Sequence, residues 1–307
     1  MKVFHLSIMG PELDKALTDA GIDVVNLPWR TWMGKRPSPS AVMMLRQKAL
    51  NMVRVERPEI VFMQLQTPGI MDGATVYAMR DLGAVVINWT GDVRDDIGWY
   101  MDLGHYVNAT LLTNGTDIET MRAAGLPADY LQIGYDPEIY SPPRKGHTRE
   151  GIVFLGNDYG NRFPESASRR HMVETMRSKF GTRFQAYGKG WGTIPLHGLD
   201  EVKALRNALV AINWDHYHRP LFASDRILRG QACGACMVSR EYPGISDEHP
   251  LVHDCFDAVM MAERVDGLLS SPNITAATGE RQAEYVRDHH TWHSRVPQII
   301  QLANTYA

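Results

Sequence analysis

The chain has 307 residues, of which 44% are hydrophobic and 22% charged, with a formal net charge of −3. That is enough for one large or two ordinary domains with substantial cores, and it excludes a generally basic, polyanion-coating surface. Three cysteines, Cys233, Cys236 and Cys255, give no even disulfide framework and point to a reducing, cytoplasmic setting. Cys233 and Cys236 form a C-x-x-C with no second pair nearby, and are read as buried small residues rather than zinc ligands. The first apolar run is too short for a signal peptide. No run approaches 18 apolar residues, so no membrane span is expected.

In chain order, residues 2–9 read as a strand, broken by Gly10-Pro11, then a helix over 12–20 and a strand over 23–27. This opening is Rossmann-like but lacks G-x-G-x-x-G, so dinucleotide binding is not indicated. Residues 28–40 read as a polar loop that gathers Trp29, Trp32, Arg30, Lys35 and Arg36. It is either a solvated loop or an acceptor-binding one, since exposed aromatics beside cations stack on sugars or bases. Ser40 is placed as the cap of a helix to Val55. A strand over 59–64, a helix over 71–82 and a strand over 84–89 follow. The last strand runs into Thr90-Gly91-Asp92-Val93-Arg94-Asp95-Asp96. The carboxyl edge of an open α/β sheet is where ligands bind, which makes Asp92 and Arg94 candidates. Asp95 and Asp96 read as caps of the next helix. The spacing is wrong for a D-x-D metal site, and no metal is expected. A strand over 107–112, a helix over 116–124 and a strand over 130–133 complete this half. The proline-rich, charged stretch 141–151 then places a domain boundary.

The second half opens with a strand over 152–155, Gly156, a polar loop and Arg162. A helix over 166–180 and a strand over 184–187 lead to Gly188-Lys189-Gly190-Trp191-Gly192. These glycines around a lysine suit either a phosphate pocket or a flexible turn, and are no Walker motif. After a helix over 201–208 and a strand over 209–214 comes a loop with His216, Tyr217, His218 and Arg219. Ser224 and Asp225 then start a helix over 226–233, which Gly234 closes before a strand over 235–239. Free N–H groups at that helix start attract anions, and Arg219 and Arg226 add charge, so a diphosphate is the natural ligand. A plain crossover with a solvated loop is the alternative. Residues 245–257 read as a long polar loop before 258–261. Helical segments over 265–270, 274–289 and 291–304 end the chain.

The stretch S-D-R-I-L-x-x-x-A-C-G-A resembles the donor-site helix of GT-B glycosyltransferases, most of all the spore-maturation-protein-like and phage-encoded group. VFLGNDYGNR (153–162), YGKGW (187–191), GYDPEIYSP (134–142) and HTWHSRVPQII (290–300) are similar to further stretches of that group, in the same order, across roughly 85–300. Many members have a glutamate three residues after the arginine; here that position is Arg229.

The resemblance implies an α/β GT-B fold of two Rossmann-like, doubly wound domains facing across a cleft. Residues 1–145 would bind the acceptor and 146–290 the nucleotide sugar, while 291–307 form a helix crossing back to the first domain. The expected reaction moves a sugar from a nucleotide-diphosphate donor, a UDP-sugar first, to a hydroxyl, with no cofactor beyond that co-substrate. Donor contacts are assigned to Gly156, Arg162, Lys189, Trp191, Arg219, Ser224, Asp225 and Arg226, acceptor contacts to Trp29, Trp32 and Arg94. Asp92 is the base if the reaction inverts, or orients the acceptor if it retains. Acceptor candidates are a glycan, a small metabolite, a protein or hydroxymethylated DNA bases. A two-lobed binding protein and a sugar-nucleotide epimerase, the latter kept by His216, His218 and His253, are the alternative readings.

Overall fold

The computed structural model describes residues 1–8, 10–34 and 37–307. They divide into two compact units, Met1–Ile133 with Trp292–Ala307, and Gly134–Thr291. The change from one unit to the other falls at Ile133, before the proline-rich stretch 141–151, which belongs wholly to the second unit.

The first unit runs β1 (Lys2–Leu6), α1 (Glu12–Asp19), β2 (Asp23–Asn26), α2 (Trp29–Met33), α3 (Pro39–Glu56), β3 (Ile60–Gln64), α4 (Gly73–Asp81), β4 (Val85–Thr90), α5 (Gly98–Gly104), β5 (Ala109–Leu112), α6 (Gly115–Ala123) and β6 (Ala128–Tyr130). Its strands form one sheet in the order β2-β1-β3-β4-β5-β6, every neighbour parallel. Helices cover both faces, so strands such as IVFMQ are buried along their whole length rather than alternating.

Two local corrections concern 28–40. Part of it is the short helix α2, which buries Trp29. The cap of α3 is Ser38, not Ser40: its Oγ accepts the Ala41 N–H at 3.2 Å, with Pro39 at the first helical position, where a missing N–H costs nothing. Lys35 and Arg36 lie outside the described residues.

The second unit runs β7 (Ile152–Leu155), α7 (Ser166–Phe180), β8 (Phe184–Tyr187), α8 (Leu199–Asn207), β9 (Val210–Asn213), α9 (Asp225–Ala232), β10 (Cys236–Arg240), α10 (Ile245–Glu248), β11 (His253–Cys255), α11 (Ala258–Leu269) and α12 (Pro272–His289). Its sheet has the order β11-β10-β9-β7-β8, again all parallel. The stretch 245–257 is not all loop, since it holds α10 and the edge strand β11. The helix expected at 265–270 begins earlier, as α11 from Ala258, with Met261, Ala262 and Val265 buried along one side.

The last helix, α13 (Trp292–Thr305), belongs to the first unit. Trp292, Val296, Ile299 and Ala303 share one core with Val3, Leu13, Leu17, Ile60 and Ile87. Trp292 packs edge-on against Trp89, centroids 5.6 Å apart. Arg295 Nε donates to the Gln132 carbonyl at 3.0 Å, and His293 Nε2 lies 2.8 Å from Asp19 Oδ2.

Candidate active site

The second sheet starts at β7, steps outward to β8, and then returns to the other side of β7 as β9. At such a reversal the loops leaving the two strands part in opposite directions and open a crevice at their carboxyl ends, the usual ligand position in an open α/β sheet. β9 ends in Asn213, and two residues on is Asp215, 7% exposed. Asp215 accepts from Asn213 Nδ2 at 2.9 Å, from the Ser224 N–H at 3.3 Å and from Arg226 Nη2 at 2.7 Å. It therefore holds the first turn of α9 against the end of β9. Ser224 is the N-cap of α9 by backbone geometry but makes no side-chain cap bond, since its Oγ donates to Asn213 Oδ1 at 3.2 Å. Asp225 is paired with Arg229 at 2.7 Å. Neither side chain caps the helix, and the N-terminal end of its dipole faces the crevice.

Arg169, in the first turns of α7, is 1% exposed, and none of its guanidinium nitrogens has a hydrogen-bond partner. Its centre lies 4.8 Å from the Phe154 ring. Burial, with Arg226 nearby, pulls its pKa down to about 9. A second cation in the same crevice with no bonded counter-charge is an arrangement that an anion would complete. The same surroundings keep His216 neutral: burial first, then Arg169 and Arg226, depress its pKa to about 3. Its ring sits 4.5 Å from Phe163 and 5.3 Å from Tyr159.

Two glycines here, Gly156 and Gly188, pack closely against the protein itself. A Cβ on Gly156 would strike Arg169 Nη2, so the glycine makes room for the arginine. Gly188 has φ +153°, and its Cβ would run into the Gly156 carbonyl oxygen, a backbone atom with little freedom to yield. Gly188→Ala is expected to destabilise the second unit by about 1–3 kcal/mol, read as a lowered midpoint in urea with an unchanged slope.

In the first unit, Thr90 closes β4, and its Oγ1 lies 2.7 Å from Tyr100 Oη. Asp92 is exposed. Its N–H donates to Thr90 Oγ1 at 3.2 Å, and Oδ2 accepts from Arg94 Nη2 at 2.9 Å; the same nitrogen donates to the Gln66 carbonyl at 2.7 Å. Asp96 accepts the Gly98 N–H at 2.7 Å at the start of α5.

Residues 168–301 match the model of a family described as glycosyl transferase-like. That stretch is a glycosyl transferase-like domain. Solved structures agree in fold: the α,α-trehalose 6-phosphate synthase of Burkholderia multivorans aligns at TM-score 0.61 and 10% identity, over 99% of this chain and 98% of that one. A glycosyltransferase from Rickettsia africae aligns at 0.58 and 10%, over 99% and 98%. The E. coli trehalose-6-phosphate protein bound with UDP-2-fluoro glucose aligns at 0.62 and 10%, over 98% of each chain. The fold is GT-B. No curated protein matches the sequence.

Within this GT-B fold the residues singled out from sequence fall into distinct groups. Arg226, Ser224 and Gly156 meet at the crevice between β7 and β9, with Asp225 turned to Arg229. Lys189 and Arg162 are exposed on loops after β8 and β7, Arg162 over the Phe163 ring at 5.3 Å. Arg219 stands 5.2 Å from the Tyr217 ring. Trp191 is a core residue, 8% exposed, and its indole N–H donates to the Gly156 carbonyl at 2.5 Å, so it supports the β7 end from beneath. Trp29 is likewise buried, at 1%, and donates to the Gln64 carbonyl. Trp32 is 42% exposed, with Lys48 5.4 Å from its ring. Asp215 and Arg169 were not among the sequence candidates. Arg229 is held by Glu201 at 3.0 Å and by Asp225, which outweigh burial and raise its pKa. Among the described residues no group of three or more His, Cys, Asp or Glu could hold a metal ion, and no helix is long and apolar enough to cross a membrane.

Proposed function

We propose that this protein transfers a hexosyl group from a UDP-sugar to a hydroxyl acceptor, and that the second unit binds the nucleotide diphosphate at the carboxyl ends of β7 and β9. The observation that carries this reading is the buried Arg169, without a hydrogen-bond partner, beside the Asp215–Arg226 pair and the uncapped start of α9. As the glycosidic bond to the diphosphate breaks, negative charge grows on the leaving oxygen. Fixed cations and backbone donors in a water-poor crevice stabilise that charge without having to reorganise. Arg226 is the direct phosphate contact. Arg169 acts from below as a fixed positive charge, and Lys189 and Arg162 close on the outer phosphate oxygens. UDP-2-fluoro glucose in the E. coli structure supports uracil as the base.

The first unit supplies the acceptor side in this reading, with Asp92 as base or orienting group and Arg94 fixing its carboxylate. Trp32 beside Lys48 is an exposed aromatic available for stacking, and it keeps hydroxymethylated DNA bases among the acceptors to test. The ordered likeness to the spore-maturation-protein-like and phage-encoded group supports the same choice.

Isothermal titration with UDP and a panel of nucleotide sugars, followed by transfer of labelled sugar to glycans, metabolites, proteins and hydroxymethylated DNA, tests this. We expect UDP and one UDP-sugar to bind with micromolar affinity and one acceptor to become labelled. Folded protein that binds no nucleotide would refute it.

A further inference from the structure

The second unit carries another built cavity, at the opposite, amino-terminal edge of its sheet. It encloses about 300 Å3 between the proline-rich segment 135–149 and α12. Arg149 precedes β7, and its Nη2 donates to the Cys233 carbonyl at the end of α9, at 2.9 Å. Gly234, at φ +78°, makes the seat: a Cβ there would strike Arg149 Nη2. The A-C-G of the sequence motif thus ends a helix and also makes room for an arginine. Burial lowers the Arg149 pKa, its Nη1 has no hydrogen-bond partner, and its Nη2 is matched only by a neutral carbonyl. Arg144, Lys145 and Arg287 add three cations to the lining, against the carboxylates Glu280 and Glu284. Tyr135, 5% exposed, and Tyr140 supply ring walls.

We infer that this cavity binds a small organic phosphate with a planar or apolar body, at a site separate from the nucleotide crevice. A phosphate monoester carries about −2 charge and presents oxygens that a guanidinium can grip in pairs. The two tyrosines and the prolines then enclose the rest of the molecule, as in small-ligand pockets generally. The volume suits one ring with its phosphate and is too small for a nucleotide sugar.

Phenyl phosphate is the probe, titrated calorimetrically into the full chain, with inorganic phosphate and phenol as separate arms. We expect phenyl phosphate to bind more tightly than either. Its affinity should fall about ten-fold in Arg149→Gln, fall also in Arg287→Gln, which alters an exposed side chain, and stay unchanged in Arg226→Ala. No binding, equal binding of inorganic phosphate, or loss of binding in Arg226→Ala with retention in both cavity variants would each overturn the inference. Because the site is defined by Arg149 and Arg287, its failure is distinct from a failure of UDP to bind at the nucleotide crevice.

Discussion

Arg226→Ala is expected to weaken donor binding by about ten- to a hundredfold, corresponding to the 1.5–3 kcal/mol of a charge-assisted bond to phosphate. The same change strands Asp215, which is 7% exposed and would keep only Asn213 and the Ser224 N–H as partners. Breaking a buried ion pair from one side costs about 3–5 kcal/mol, and the lower end applies because the Arg226 side chain is 21% exposed. Two effects are thus superimposed, and a second variant separates them. In Arg226→Ala with Asp215→Asn the stranded charge is gone, so stability should recover while donor affinity stays low. Titration of UDP and thermal unfolding of the three proteins decide the matter. A folded Arg226→Ala that binds UDP as tightly as the parent would remove this arginine from the site.

Deleting residues 292–307 should unfold the first unit and leave the second folded. Trp292, Val296 and Ile299 are each under 9% exposed, on a helix that closes one face of the first sheet. At about 1.5–3 kcal/mol for each large apolar side chain, the loss is about 5–9 kcal/mol, comparable with the whole stability of an ordinary domain. The core of the second unit, built on Phe154, Met172, Met176, Phe184 and Val210, contains none of these residues. Hydrogen exchange should show protection retained in β7–β10 and lost in β1–β5. Undiminished protection in β1–β5 would show that α13 is dispensable.

The strands were legible because parallel strands buried on both faces leave apolar runs such as IVFMQ and VAIN, bounded by glycine, proline and polar residues. The start of α9 was legible from Ser224 and Asp225, though not the use made of them. Ser224 and Asp225 turn to Asn213 and Arg229, partners set by tertiary structure that a local cap rule cannot see. Arg169 was hidden by its neighbour. Arg169 and Arg170 read as one basic helix end, but adjacent helical residues point about 100° apart. One enters the core beneath Gly156 and the other bonds the Gly160 carbonyl at 2.6 Å on the surface. A glycine at a strand end followed by an arginine on the next helix was the available signal. Trp29 and Trp32 were read as a pair in a loop; once α2 forms, one lies in the core and the other on the surface. Asp215 was overshadowed by the histidines after it, of which His216 is stacked among aromatics.

The return of the last helix to the first unit also fixes an order of events at the ribosome. Residues 1–133 emerge first, but the side chains that finish their core are translated only after all of 134–291. At the end of that interval Leu13, Leu17 and Ile22 still lack the cover they have in the finished molecule, while the second unit has a complete core of its own and can close. The half translated first is therefore completed last. For the length of one domain's synthesis it presents a sticky surface that chaperones can recognise, and a stall within 134–291 would leave it that way.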